Sequence, residues 1–253
     1  MAVAEFYPLK VQDIRKECED AVSIAFDVPD TLAEKFAFIP GQYLSLKKDL
    51  NGEDIRRAYS ICSTPDDGEL RVAVKRMVEG VFSNYVNDQL KSGDVLEVLP
   101  PVGRFHVPLD PDQAKIYVGI AGGSGITPFH SIIRTVLQKQ PMSQFTLFYG
   151  NRTKATSLFR DSLEGLKRRY EDRFQLFHIY SEQHSDDELL SGLLDQEKCA
   201  SLFEAFVDMP KVDYFLMCGP TPMIKAARSA LKVYDIAPER QKFELFGTQS
   251  PSR

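Results

Sequence analysis

The stretch Gly119-Ile-Ala-Gly-Gly-Ser-Gly-Ile-Thr-Pro128 limits what this chain can fold into more than any other. Before it, Lys115-Ile-Tyr-Val-Gly-Ile120 is a short apolar run of the kind that forms a buried parallel strand. After it, Phe129, Ile132, Ile133, Val136 and Leu137 recur at helical spacing, with Pro128 suited to the first turn. Glycines between strand and helix let backbone N–H groups approach a pyrophosphate, whose charge the helix N-terminus favours. An ordinary glycine-rich turn would look the same, so the rest of the chain has to decide.

The two halves of the chain are patterned differently. Up to about residue 110, short segments rich in β-formers alternate with turns: Ala21-Val-Ser-Ile-Ala-Phe-Asp-Val28, Gln42–Leu46, Ala58–Ile61, Leu70–Val74 and Val95–Leu99. Pro40-Gly41, Asn51-Gly52, Asp67-Gly68 and Ser92-Gly93 are the turn signals. This spacing predicts an antiparallel barrel or sandwich, interrupted by one helix over Phe82–Leu90. From Ala114 the pattern predicts strands over 115–120, 145–149, 174–180, 212–218 and 241–246. Helices over 128–139, 156–170, 186–206 and 221–234 fill the gaps. Such alternation predicts a doubly wound α/β domain with a five-stranded parallel sheet. If its first and fourth strands are neighbours, the loops Gly122–Gly125 and Cys218-Gly-Pro-Thr-Pro222 converge where the strand order reverses, the usual ligand position of such sheets. The predicted division is 1–110 and 111–253, with Pro108-Leu-Asp-Pro111 as a linker.

Composition narrows the function classes. A net charge of -5 without a long basic run argues against a nucleic-acid binder. No apolar run is long enough for a membrane span, and Met1-Ala-Val-Ala lacks the order of a secretion signal, so the expected compartment is the cytoplasm. Cys18, Cys62, Cys199 and Cys218 never form Cys-x-x-Cys, and His106, His130, His178 and His184 are dispersed; no metal site is expected.

Four motifs, in order, give the chain a resemblance to the ferredoxin–NADP reductase superfamily over nearly its whole length. Arg57-Ala-Tyr-Ser60 looks like the Arg-x-Tyr-Ser flavin motif, and Gly80-Val-Phe-Ser83 like the Gly-x-x-Ser phosphate motif. Gly123-Ser-Gly-Ile-Thr-Pro128 and Cys218-Gly-Pro220 resemble the nicotinamide-nucleotide motifs. The likeness is nearest to reductase components of bacterial oxygenases of the phenylacetyl-CoA type. It implies an FAD-binding barrel followed by a nucleotide-binding domain, hydride transfer from NAD(P)H to FAD, and single electrons passed to a ferredoxin-like iron–sulfur protein or a flavodoxin.

The same resemblance assigns roles to residues. Tyr59 would stack on the flavin ring, Arg57 would neutralise phosphate, and the Ser60 hydroxyl would hydrogen-bond the ring. Gly80, Val81, Phe82 and Ser83 would open a helix toward the pyrophosphate, with Lys75 nearby. Gly123, Ser124, Gly125, Thr127 and Pro128 would meet the nicotinamide nucleotide, together with Cys218, Gly219 and Pro220. Ser60, Cys218 and Glu244 are the candidate catalytic residues, and Glu244-Leu-Phe246 resembles the family's terminal acidic-x-aromatic pattern. Cys218 is expected to shape the nicotinamide pocket rather than act as a nucleophile.

Two features depart from the family pattern. Relatives of the phenylacetyl-CoA type continue past a Phe-Glu-Leu-Phe-Gly segment into a plant-type iron–sulfur domain, whereas this sequence stops at Arg253 without a four-cysteine run. Either electrons pass to a separate partner or the sequence is a piece of a longer protein. NADPH-using relatives often place arginines at three points near the adenosine. Here Arg152 keeps one, Ser181-Glu182 brings an acid to the second, and Leu193 stands at the third. Glu182 would repel a 2′-phosphate, which leans the nucleotide toward NADH. Lys47, Lys48, Arg56, Lys75 and Arg76 would either steer an acidic electron carrier or be ordinary solvated cations. The rival readings are a free-flavin or quinone reductase and a non-catalytic nucleotide-binding regulatory protein.

Overall fold

The computed structural model describes residues 5–183 and 187–246. It divides into two compact units, one of residues 1–108 with 127–135, the other of 109–126 with 136–253.

In the first unit, β1 (Tyr7–Cys18), β2 (Ala21–Asp27), β3 (Tyr43–Leu50), β4 (Glu53–Ser60), β5 (Leu70–Lys75) and β6 (Val95–Val98) form one antiparallel sheet in the order β4-β3-β6-β1-β2-β5. The sheet's two ends meet through a bridge between Ile61 and Val72, and the Cys62 N–H donates to the Arg71 carbonyl at 2.9 Å. Joining the ends makes a barrel and removes exposed edges there. Leu9, Val11, Ile24, Leu44, Leu46, Val72, Val74, Leu96 and Val98 fill the interior, with Phe82 and Val86 from α2 (Val81–Asp88). A four-residue helix, α1 (Ala33–Phe36), precedes β3, so α2 is not alone in this half as the sequence suggested. It anchors the loop through buried Phe36, whose ring lies edge-on to Tyr7.

The longest strand, β1, was not among the predicted ones. It runs beside both β2 and β6, and its register shifts between Val11 and Asp13 and again between Lys16 and Cys18. Those irregularities break the two-residue alternation that would have marked a half-buried strand.

In the second unit, β7 (Ile116–Gly122), β8 (Gln144–Asn151), β9 (Phe174–Tyr180), β10 (Tyr214–Gly219) and β11 (Gln241–Leu245) form a parallel sheet in the order β11-β10-β7-β8-β9. The first and fourth strands of this sheet are neighbours, so the strand order reverses between β7 and β10. Val118, Ile120, Phe148, Phe215 and Met217 cluster with residues of α5 (Gln196–Phe206) and α6 (Thr221–Lys232). Tyr117, Phe145 and Tyr149 are buried on the other side of the strands.

Two predicted helices begin later than expected. The 156–170 segment becomes α4 (Arg160–Arg169), because Phe159 takes a left-handed conformation (φ 59°) and stops the helix from starting earlier. The 186–206 segment is divided: a 3₁₀ turn over Glu188–Leu190 is followed by Gly192 at φ 99°, whose N–H donates to Tyr180, and α5 begins only after the Asp195 cap. Residue 186, where that helix was predicted to begin, and His184 lie outside the described residues.

Candidate functional site

The flavin-motif residues lie on β4 and at the start of α2. The β4 strand ends at Ser60, which is buried, and among the described residues its hydroxyl has no hydrogen-bond partner. Tyr59 stacks on Phe82 at 5.8 Å between centroids, which brings the two motifs together, and burial pushes its phenol pKa up. Arg57 is exposed; its guanidinium donates to the Arg56 carbonyl at 2.7 Å and meets no carboxylate among the described residues.

Gly80 takes the cap position of α2 with no side-chain cap, leaving the N–H groups of the first turn unmatched by a side chain. A Cβ at Gly80 would run into the Ser83 hydroxyl and come within 2.9 Å of the Met77 Cβ. The Ser83 hydroxyl is turned back, accepting from the Met77 N–H at 3.1 Å and donating to the Gly80 carbonyl at 3.2 Å. It shapes the loop before the helix. Val81 is exposed beside it. An arginine without a carboxylate partner, a serine hydroxyl without a hydrogen-bond partner and a helix start without a side-chain cap are donors of the kind that a flavin with its pyrophosphate takes up, so these residues fit FAD.

The basic residues near this site do not form a free positive patch. Lys47 pairs with Glu97, Arg56 with Asp54 at 2.7 Å, Lys75 with Asp20 at 2.8 Å and Arg76 with Asp88 at 2.5 Å. Lys48 donates to the Val95 carbonyl. Lys75, predicted to bind cofactor, is thus engaged with an acid.

In the second unit the two predicted loops do converge. A Cβ at Gly125 would fall within 2.5 Å of the Cys218 carbonyl carbon and 2.7 Å of the Gly219 nitrogen, and one at Gly122 within 2.8 Å of Pro220. Only glycine permits backbone to lie this close to backbone. Gly123 (φ 53°) and Ser124 are half-buried between them, and Gly125 leads directly into α3 (Ile126–Lys139). Thr127 and Pro128, in the first turn of α3, are buried, and the 127–135 segment is counted with the first unit.

Cys218 pairs in register with Ala121 of β7 and with Glu244 of β11. It is fully buried, which raises its thiol pKa well above the ordinary value and argues against a thiolate nucleophile. Burial also raises the Glu244 carboxyl pKa, while Leu245 and Phe246 are exposed. Arg152 and Glu182 are brought together beyond the ends of β8 and β9, where the Glu182 N–H donates to the Arg152 carbonyl at 3.0 Å; Ser181 lies beside them and Leu193 is exposed.

Sequence reasoning missed Tyr149. Its hydroxyl lies 3.2 Å from the Gly123 carbonyl oxygen and 3.2 Å from that of Leu158. In the sequence it reads as one more apolar residue of a buried strand.

A closed antiparallel barrel with an uncapped helix, followed by a parallel sheet with glycine loops at its switch point, defines a flavin- and nicotinamide-nucleotide-dependent oxidoreductase. The comparisons agree: an oxidoreductase FAD-binding domain matches residues 8–107 and an oxidoreductase NAD-binding domain matches residues 120–229. This chain belongs to the ferredoxin–NADP reductase superfamily. It is 42% identical over 243 residues to a component of the 1,2-phenylacetyl-CoA epoxidase of Escherichia coli, covering 96% of this chain and 68% of that one. It is 34% identical to the ferredoxin reductase component of a 3-ketosteroid-9-alpha-monooxygenase from Mycobacterium tuberculosis, covering 94% and 64%. The chain therefore spans about two thirds of the length of these relatives. Among solved structures, an Amycolatopsis cytochrome P450 reductase superposes with a TM-score of 0.82 at 26% identity, covering 99% of this chain and 73% of that one. The FAD/NAD-binding domain of a Vibrio cholerae nitric oxide dioxygenase gives 0.80 at 24%, covering 95% and 98%, a likeness of fold. Among the described residues no helix is long and apolar enough to cross a membrane, and no cluster of potential ligands could hold a metal ion.

Proposed function

We propose that residues 1–110 bind FAD, that residues 111–253 bind a nicotinamide nucleotide, and that the protein is the reductase that feeds electrons to an oxygenase or to a ferredoxin-like or flavodoxin-like carrier. The observation that carries this is the pair of oxidoreductase domains in order, together with relatives named as epoxidase and monooxygenase components. Four free cysteines fit a reducing compartment, the cytoplasm.

Bound FAD would supply the redox chemistry, accepting two electrons with a proton from the nicotinamide and releasing the electrons one at a time. The chain's own residues then bind and orient. Arg57 and the first turn of α2 hold the pyrophosphate, Tyr59 offers a ring face, and Ser60 donates to the flavin ring. Gly123–Gly125 and Cys218–Pro220 let the nucleotide approach the backbone, with Cys218 shaping the nicotinamide side and Glu244 adding a carboxyl whose pKa burial raises. Glu182 beside Arg152 favours a ribose diol over a 2′-phosphate and so NADH over NADPH.

The protein purified without added flavin should be yellow and should bleach anaerobically on addition of NADH. Reduction of a ferredoxin should then outpace reduction of free flavin or quinone. A colourless protein that takes up no FAD would defeat the proposal, and a faster rate with free flavin would replace it with the diffusible-acceptor reading.

A further inference from the structure

We propose that Tyr149 is a positioning residue for the nicotinamide nucleotide, its phenol setting the glycine loop and the loop after β8 in one arrangement. This rests on the nucleotide reading of the second unit given above.

Tyr149 is fully buried on β8, and its single O–H proton is shared between the carbonyl oxygens of Gly123 and Leu158, each at 3.2 Å. Gly123 has φ 53°, and a Cβ there would touch nothing within 4 Å, so packing does not fix its peptide. Hydrogen bonds do. Its carbonyl accepts from the Ile126 N–H as well as from Tyr149, which occupies both lone pairs. In a planar trans peptide the C=O and the next N–H point in opposite directions. Drawing the Gly123 oxygen toward Tyr149 therefore fixes the orientation of the whole Gly123–Ser124 peptide, with the Ser124 N–H on the side opposite the phenol.

The second acceptor matters equally. Leu158 immediately precedes Phe159, a bulky residue held at φ 59°, a strained conformation that persists only where its surroundings enforce it. The same loop begins with Arg152, beside Glu182. One hydroxyl thus ties the pyrophosphate loop to the loop proposed to select the adenosine end.

The test uses the full chain loaded with FAD and compares Tyr149→Phe with Tyr117→Phe. Tyr117 is equally buried, and its hydroxyl donates to Gln140 at 2.9 Å from near the amino end of β7, away from the loops. Calorimetric titration with NAD⁺ should show Tyr149→Phe binding roughly five- to tenfold more weakly, the loss of one buried hydrogen bond, with Tyr117→Phe close to wild type. Amide exchange at residues 123–125 in the nucleotide-free protein should quicken in Tyr149→Phe alone, and flavin content should be equal in all three proteins. Unchanged affinity in Tyr149→Phe, or equal weakening in both variants, overturns the inference. A wild-type protein that binds neither NAD⁺ nor NADP⁺ overturns instead the nucleotide reading on which it stands.

Discussion

Replacing Gly125 with alanine tests whether the two loops of the second unit approach as closely as described. Gly125 has helical dihedrals (φ -61°, ψ -10°), so the backbone itself would accept alanine, and helix propensity alone would favour it by up to about 1 kcal/mol. The new methyl, however, would lie 2.5 Å from the Cys218 carbonyl carbon and 2.7 Å from the Gly219 nitrogen. Ordinary contact needs about 3.4 Å or more, and the obstacle is main chain at the end of β10, which pairs with strands on both sides. The Cys218 carbonyl oxygen would be nearer still, at 2.1 Å. Overpacking of this kind costs roughly 1–3 kcal/mol, and relief would require a backbone shift of about an ångström or more. The contact outweighs the propensity, and a net loss of about 1–2 kcal/mol should lower the melting midpoint by ~2–8 °C. Gly165→Ala is the internal control. It sits within α4 where a Cβ would meet only the tip of Arg168 at 3.9 Å, so it should stabilise slightly. Differential scanning calorimetry on both variants decides; Gly125→Ala melting at or above wild type would refute the close approach.

Other outcomes follow from single side chains. Arg57→Ala should weaken FAD retention by about 1.5–3 kcal/mol, the worth of a charge-assisted contact, and a variant that purifies fully yellow would remove Arg57 from the flavin site. Glu182→Arg should raise catalytic efficiency with NADPH relative to NADH, about tenfold for each 1.4 kcal/mol of differential binding; an unchanged ratio would show that Glu182 does not face the nucleotide. His130 is buried with Nδ1 2.8 Å from the Cys62 carbonyl oxygen; burial lowers its pKa from 6.5 to about 4, the bond to the Cys62 carbonyl opposing, with smaller effects of Arg134 lowering it and Asp67 raising it. The folded state thus holds it neutral while the unfolded chain takes up a proton. Stability from this residue is intact above pH 6.5 and declines by up to about 3 kcal/mol as pH falls to 4. Urea melts of wild type and His130→Gln across that range should show the variant with the shallower slope; parallel slopes would refute the neutral buried imidazole.

The parallel sheet was legible because its central strands are largely buried on both faces and therefore appear as mainly apolar runs, such as Phe145–Tyr149. The barrel strands were legible where alternation is regular and not in β1, where Lys10, Asp13, Arg15 and Lys16 mingle with a shifted register. The glycine loops were found because tight backbone contact leaves only one residue type possible. The fate of the basic residues could not be read, since Lys47 meets Glu97 and Lys75 meets Asp20 only once distant strands are aligned. Tyr149 escaped for a related reason: its hydroxyl acts on carbonyl groups, and no residue identity records where a carbonyl points.

The barrel unit is not a continuous piece of sequence, since residues 127–135 are counted with it. From that segment Ser131 donates to the Ser63 carbonyl at 2.6 Å, Arg134 grips Asp67 through two bonds of 2.7 Å, and Phe129 lies edge-on to Phe105. Recombination between relatives at the natural-looking seam near residue 108 would therefore join a barrel to a foreign stretch of α3, and the turn at Ser63–Asp67 would lose its matched partners. Chimaeras that exchange flavin modules within this superfamily should stay intact only when residues 127–135 travel with the barrel, so that heredity here passes the helix segment and the turn together although some sixty residues separate them.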